Sequence, residues 1–152
     1  MAELKERLRA DLNAAMRARD QVRMRTLRMA LSSITTEEVA GATARDLSDD
    51  EIVKVLTREA RKRREAAEAF SAAGRADPAA AERAEGEILA GYLPAQLSDE
   101  ELGGLVDAAI AETGASDIKG MGQVMKTLTP RVAGRADGAR VAAEVRRRLS
   151  PA

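Results

Sequence analysis

The sequence predicts an all-α protein, and three observations carry that prediction. Apolar residues recur with the three- and four-residue spacing of amphipathic helices, and no stretch alternates convincingly with the period of two that marks a strand. Two helix-start signals, LSDDEI and LSDEEL, are present in full. Phe70 and Tyr92 are the two aromatic residues, so the core must be built from aliphatic side chains and alanine, a composition that favours close-packed helices over sheets.

The first two helices are predicted from stripes of apolar residues. The first stripe has a four-residue spacing and consists of Leu4, Leu8, Leu12 and Met16. The second helix is predicted over about residues 20–39, and the loop GATARD ends it.

Capping signals define the next two helices. Ser48 and Glu51 have the spacing of a capping box, which predicts the start of a third helix that continues to about Gly74. Asp77 followed by Pro78 predicts the N-cap and first helical residue of a fourth helix.

The helical periodicity stops at YLPAQLS and restarts at Ser98, which predicts a domain boundary. We expect an N-terminal helical domain of about four helices over 1–94 and a small C-terminal three-helix bundle over 95–152. Within the bundle, apolar spacing predicts helices after Ser98 and Met121, and Asp137 is the predicted cap of the last helix.

Composition excludes several classes of site. The chain has no cysteine and no histidine, so disulfides, thiolate chemistry and histidine-based triads are absent, and we expect no cofactor and no metal. No apolar run approaches the roughly 20 residues of a membrane span, and the first residues lack the apolar stretch of a signal peptide. We therefore expect a cytoplasmic location and no membrane partner.

The net charge is zero, but the charges are unevenly distributed along the chain. Residues 5–28 hold eight lysines and arginines against three acids, and residues 119–152 hold eight against two. The intervening residues 76–118 are acidic. An anionic partner would therefore have to meet a local patch rather than the whole surface.

The segment KGMGQVMKTLTPRVAGRADG, residues 119–138, is the candidate site. No strand precedes its glycines, so it does not match a nucleotide-binding loop. Two helix starts and a group of cations suit phosphate contacts, and the candidate RNA-binding residues are Lys119, Lys126, Arg131, Arg135 and Arg140. The alternative is an ordinary solvated face on a structural motif made of Gly120, Gly122, Pro130, Gly134, Asp137 and Gly138.

Other polar runs have plainer interpretations. The run REARKRREAAE, residues 58–68, has opposite charges at helical spacing, which predicts a helix surface laced with ion pairs. The arginines of RRRLSPA favour the negative end of the last helix. Phe70 and Tyr92 are interpreted as core residues rather than base-stacking platforms.

Four motifs together resemble the GatB/YqeY family, and the resemblance covers nearly the whole chain. They are R-x-L-R-M-A-L, LSDDEIVKVLTREARKRREAAEAFSAAGRAD, YLPAQLSDEEL, and the MGxVM…P…GRADG pattern near the end. Proteins of this kind are similar to the tail of the B subunit of tRNA-dependent amidotransferase, a module that resembles a holder of tRNA.

The resemblance implies an accessory module with tRNA or structured RNA as partner. It also carries the label of a carbon–nitrogen ligase with glutamine as amido donor, although this sequence lacks the catalytic machinery of the other parts of that enzyme. We therefore expect no stand-alone catalytic centre. The alternative is a helical protein-interaction module that docks another subunit through its apolar stripes or through the face bearing Met121 and Met125.

Overall fold

The computed structural model describes residues 2–151, which form seven α-helices and one short 3-10 helix and contain no strand. The prediction of an all-α chain is confirmed, as is the order of four helices followed by three. The chain divides into two compact units, Met1–Leu93 and Pro94–Ala152. No helix within residues 2–151 combines the length and the apolar character that crossing a membrane requires.

The first unit contains the first four helices. They are α1 (Glu3–Ala18), α2 (Gln21–Glu38), α3 (Asp49–Ala72) and α4 (Ala76–Ala90). The most extensive packing is between α3 and α4, followed by that between α1 and α2. The core is aliphatic, and its largest fully buried side chains are Leu8, Leu27, Ile34, Ile52, Leu56 and Leu89.

The apolar stripe of α1 ends earlier than its four-residue spacing suggests. Ala15 is buried, whereas Met16 is 46% exposed. A helix turns about 100° per residue, so each four-residue step drifts about 40° from the starting face. After three steps from Leu4, the side chain of Met16 has rotated out of the core.

The start of α4 also differs from the prediction. Arg75 is the N-cap, and Asp77 and Pro78 lie in the first turn. Gly74 has a left-handed φ of 74°, and the Arg75 N–H donates to the carbonyl of Phe70 at 2.8 Å, so the chain turns directly from α3 into α4. Proline is tolerated there because the first N–H groups of a helix have no intrahelical acceptor.

Both predicted capping boxes are present. The Ser48 hydroxyl accepts a hydrogen bond from the Glu51 N–H at 3.2 Å, and the Glu51 carboxylate accepts one from the Ser48 N–H at 2.9 Å. Ser98 and Glu101 make the same reciprocal pair at 3.1 Å each. These bonds satisfy N–H groups that would otherwise lack partners, which explains why α3 and the helix after Ser98 begin where the sequence indicates.

The second unit is a three-helix bundle. It comprises α5 (Asp99–Thr113), the 3-10 helix (Ile118–Gly120), α6 (Met121–Val132) and α7 (Gly138–Leu149). α5 packs against both of the other α-helices. The core residues with less than 3% of their surface exposed are Leu102, Val106, Ala109, Val124, Leu128, Val141 and Val145.

Candidate functional site

The predicted RNA-binding residues are distributed along α6, α7 and their flanking segments. Lys119 lies in the 3-10 helix, Lys126 and Arg131 lie on α6, Arg135 lies in the connection to α7, and Arg140 lies in the first turn of α7. Their ability to contact an anion depends on which of them already have acidic partners.

The structure brings Arg135 and Arg140 together around the segment that leads into α5. Arg140 donates to the carbonyl of Leu97 at 2.9 Å and pairs with the carboxylate of Asp99 at 2.7 Å. Arg135 donates to a backbone carbonyl of the same segment at 3.2 Å and lies 4.0 Å from the carboxylate of Glu101. Both guanidinium groups therefore link the start of α5 to α7 and the connection that precedes it.

Arg131 belongs to a different part of the unit. Its guanidinium pairs with the carboxylate of Glu112 at 2.7 Å, in the last turn of α5. Asp99, the partner of Arg140, lies in the first turn of the same helix. The two acids are 13 positions apart, which corresponds to about 20 Å along a helix axis. The three arginines therefore do not form one cluster.

The two lysines are exposed and differ from the arginines in their partners. Within residues 2–151, neither the Lys119 nor the Lys126 ammonium group forms an ion pair. The backbone N–H of Lys119 donates to the carboxylate of Asp117 at 3.0 Å, which caps the 3-10 helix. Of the five predicted residues, these are the two whose charged group forms no ion pair within residues 2–151.

Two of the three arginines in the last turn of α7 are also paired. Glu144 accepts hydrogen bonds from Arg147 and Arg148 at 2.7 Å, and these bonds lower the pKa of the Glu144 carboxyl to about 2. Arg148 also pairs with Asp107 on α5. An open cleft of about 460 Å³ lies beside these groups and Arg140. Each guanidinium group that lines this cleft has an acidic partner.

Sequence reasoning missed the acids of α5, which decide which cations of the second unit are paired. Four of them pair with arginines between α6 and the end of α7, and they are Asp99, Glu101, Asp107 and Glu112. The signal was present, because the acidic stretch 76–118 directly precedes the basic stretch 119–152. In a three-helix bundle, consecutive helices of opposite charge are neighbours, so their side chains can pair.

The motif residues have distinct structural roles. A Cβ at Gly120 would lie 2.6 Å from the Cβ of Ala115, so this position requires glycine, whereas a Cβ at Gly122 would meet open space. A close approach to a neighbouring residue therefore occurs at Gly120 and not at Gly122. Gly134 has a left-handed φ of 74°, and Asp137 caps α7 by accepting from the Ala139 N–H at 2.9 Å.

Pro130 and Gly138 complete the motif. Pro130 lies inside α6, which continues to Val132. Gly138 is the first residue of α7, and a Cβ there would meet open space. These two residues therefore have positions within helices, at the end of α6 and at the start of α7.

The two aromatic side chains are engaged within the first unit. Tyr92 is 6% exposed, its hydroxyl donates to Asp11, and the guanidinium carbon of Arg7 lies 4.6 Å from its ring centre. Burial, followed by the bond to Asp11, raises the pKa of Tyr92 to about 12. Phe70 is half-buried and stacks against Arg75 at 5.1 Å. Neither ring is among the large hydrophobic side chains exposed in residues 2–151.

The methionine face of α6 is not an open docking surface. Met121 and Met125 are half-buried and pack against the core of the second unit. Exposed side chains at these two positions would have favoured the protein-docking alternative, but both side chains are half-buried.

The perturbed carboxylates lack the property of a general acid. Four carboxyls have a lowered pKa, and these are Glu38, Glu51, Glu101 and Glu144. The leading cause in each case is a hydrogen bond to the charged form, from Lys5, Arg45, the Ser98 N–H and Arg147 respectively. A carboxylic acid that donates protons near neutral pH requires a raised pKa instead.

Comparison with known proteins places the chain in a family. No curated protein matches it. The family model described as Yqey-like protein matches residues 5–149, from the first turn of α1 to the last residue of α7. Because that match covers both units, the chain belongs to the Yqey-like protein family.

Proposed function

We propose that this protein is an accessory module that binds tRNA or another structured RNA through phosphate contacts, without a catalytic centre of its own. The observation that carries the proposal is the pair of exposed ammonium groups, Lys119 and Lys126, that have no acidic partner within residues 2–151. Ammonium groups with this freedom suit the phosphate contacts that position a protein on RNA. The resemblance to the tail of the amidotransferase B subunit supports tRNA as the class of partner.

Recognition in this proposal depends on the shape of the RNA backbone rather than on base stacking. Single-stranded RNA is usually held on exposed aromatic rings. Tyr92 is buried and Phe70 stacks against an arginine, so neither is available for that role. Phosphates of a folded RNA are the ligand that the exposed cations suit best.

The test is a titration of fluorescently labelled tRNA with the full chain over about 50–200 mM salt. We expect the affinity to fall steeply as the salt concentration rises, because binding to phosphates releases condensed counterions. The variant Lys119→Gln/Lys126→Gln should bind more weakly, and its log–log salt slope should be smaller by roughly two units.

The matched control is Lys54→Gln/Arg83→Gln, which removes two exposed cations from the first unit. Lys54 has no ion pair within residues 2–151, and Arg83 donates to the Ser71 hydroxyl at 2.8 Å. If control and test variants weaken binding equally, the effect is one of net charge and the lysine site is wrong. A wild-type chain that shows no saturable, salt-dependent binding would refute the proposed function itself.

A further inference from the structure

The turn between α1 and α2 carries a second basic surface that the candidate segment does not include. We define the α1–α2 tip as Met16–Arg23, the last turn of α1, the connection and the first turn of α2. Arg17 and Arg19 are exposed there, and within residues 2–151 neither forms an ion pair. The two residues are two positions apart in the chain.

Nearby acids do not cancel the charge of the tip. Asp20 is the acid within the tip, and its carboxylate accepts the backbone N–H of Arg23 at 3.0 Å as the N-cap of α2. Two other cations of the stretch 5–28 are engaged elsewhere, since Lys5 pairs with Glu38 and Arg25 pairs with an acid of α4. Arg17 and Arg19 therefore add positive charge at the tip that no ion pair within residues 2–151 compensates.

The backbone at Arg19 adopts a conformation that glycine usually takes. Arg19 has a φ of 56° and is the one residue other than glycine with a positive φ among residues 2–151. It is the C-cap of α1, and its N–H donates to the carbonyl of Met16 at 3.2 Å, which is a common way for a helix to end. Glycine would take this conformation without a steric penalty, whereas this chain places an exposed guanidinium at the turn.

Two aliphatic side chains flank the arginines. Met16 is 46% exposed and Val22 is 38% exposed, and together they are half of the four large hydrophobic residues exposed in residues 2–151. The tip contains no aromatic residue, and two aliphatic side chains are too little apolar surface to anchor a protein in a bilayer. This combination suits the phosphates and sugars of a folded RNA better than a lipid surface.

We propose that the α1–α2 tip is a second RNA-binding surface, in which Arg17 and Arg19 contact phosphates while Met16 and Val22 pack against the sugar–phosphate backbone. The inference rests on the proposed function, because it names a further surface for the same RNA. It differs from that function in placing phosphate contacts in the first unit.

The experiment compares the wild-type chain with Arg17→Gln/Arg19→Gly in the same tRNA titration. Glycine at position 19 relieves the left-handed strain, so the thermal midpoint measured by circular dichroism should not fall substantially and weaker binding cannot be attributed to unfolding. We expect the affinity to fall about tenfold at about 50 mM salt and the salt slope to shrink by roughly two units. The control Lys54→Gln/Arg83→Gln should change the affinity by less than about twofold.

Each outcome has a distinct meaning. If the wild-type chain binds tRNA and the tip variant binds equally well, or if the control loses as much affinity, the tip is not an RNA surface although the proposed function stands. If the wild-type chain binds no tRNA, both proposals fall. If it instead co-sediments with vesicles of anionic lipid in a tip-dependent manner, the tip is a membrane surface and the RNA assignment is wrong.

Discussion

The stretches 5–28 and 119–152 look alike in sequence, yet their cations differ in which of them form ion pairs in the folded chain. Each holds eight lysines and arginines. In the second stretch, Arg131, Arg135, Arg140, Arg147 and Arg148 all pair with carboxylates. In the first stretch, Lys5 and Arg25 are paired, whereas Arg17 and Arg19 at the α1–α2 tip form no ion pair within residues 2–151.

The difference lies in the position of the acids. α5 is acidic and packs against α6 and α7, so its carboxylates meet the arginines of the second stretch. At the α1–α2 tip, the carboxylate of Asp20 is engaged as a helix cap. A count of charges along the chain therefore does not predict the surface potential, because pairing between helices decides which charges remain available.

The two regions also differ in how deeply their ion pairs lie. The side chains of Lys5 and Glu38 are 9% and 11% exposed, and their charged atoms are 2.8 Å apart. In the second unit, Arg140 is 32% exposed and its partner Asp99 is almost fully exposed. A desolvated charge that loses its partner is costly, whereas water readily replaces the partner of an exposed one.

The largest expected effect follows from breaking the buried pair. Lys5→Ala leaves the Glu38 carboxylate without its partner in a buried position, and we expect a loss of about 3 kcal/mol in the free energy of unfolding. Arg140→Gln, the matched change in the second unit, should cost no more than about 1 kcal/mol. Urea unfolding followed by circular dichroism measures both. Equal losses would show that burial does not distinguish the two pairs.

An intermediate effect is expected from acid titration of the second unit. The folded pKa of Glu144 is about 2, below the ordinary value of 4.5. Stability from this group is therefore fully present above pH 4.5 and is lost as the pH falls towards 2. We expect Glu144→Gln to reduce this acid-dependent loss by on the order of 1 kcal/mol, since the pair is partly solvated.

Unfolding free energies of the wild-type chain and of Glu144→Gln at several pH values between about 5 and 2 give the measurement. Glu65→Gln is a suitable control, because Glu65 is an exposed acid on α3 whose pairing distance to Arg61 is 3.9 Å. If all three proteins show the same pH dependence, the bonds from Arg147 and Arg148 do not stabilise the second unit.

The smallest expected effect tests charge compensation directly. Glu112→Gln removes the acidic partner of Arg131, so a guanidinium becomes available to phosphates without any added cation. We expect the affinity for tRNA to rise about two- to threefold at low salt. Glu100→Gln is the control, because it changes the net charge equally and Glu100 forms no ion pair within residues 2–151. An equal gain from both variants would mean that pairing does not govern the availability of Arg131.

Much of the fold could be predicted because its signals are local. The capping boxes at Ser48 and Ser98 and the caps at Gly114 and Asp137 depend on residues within a few positions of each other. The start of α4 was misplaced because Gly74 allows the chain to turn at once, so Pro78 falls at the third helical position rather than the first. The exposure of Met16 was missed because a four-residue spacing drifts around the helix.

The candidate site was predicted less completely. Sequence identified the five cations of residues 119–140, but the partners of the three arginines are 19 to 43 positions away, on or before α5. The strain at Arg19 was also out of reach, because no residue pattern requires an arginine to take a left-handed conformation.

By itself, the sequence determined the helical class, the order of seven helices, the capped helix starts and the absence of thiol and imidazole chemistry. These properties depend on residue types and on contacts within a turn or two of helix. Only the tertiary structure decided which cations are compensated, because ion pairing depends on the distance between side chains of different helices. That distance leaves Lys119, Lys126, Arg17 and Arg19 among the cations that form no ion pair within residues 2–151.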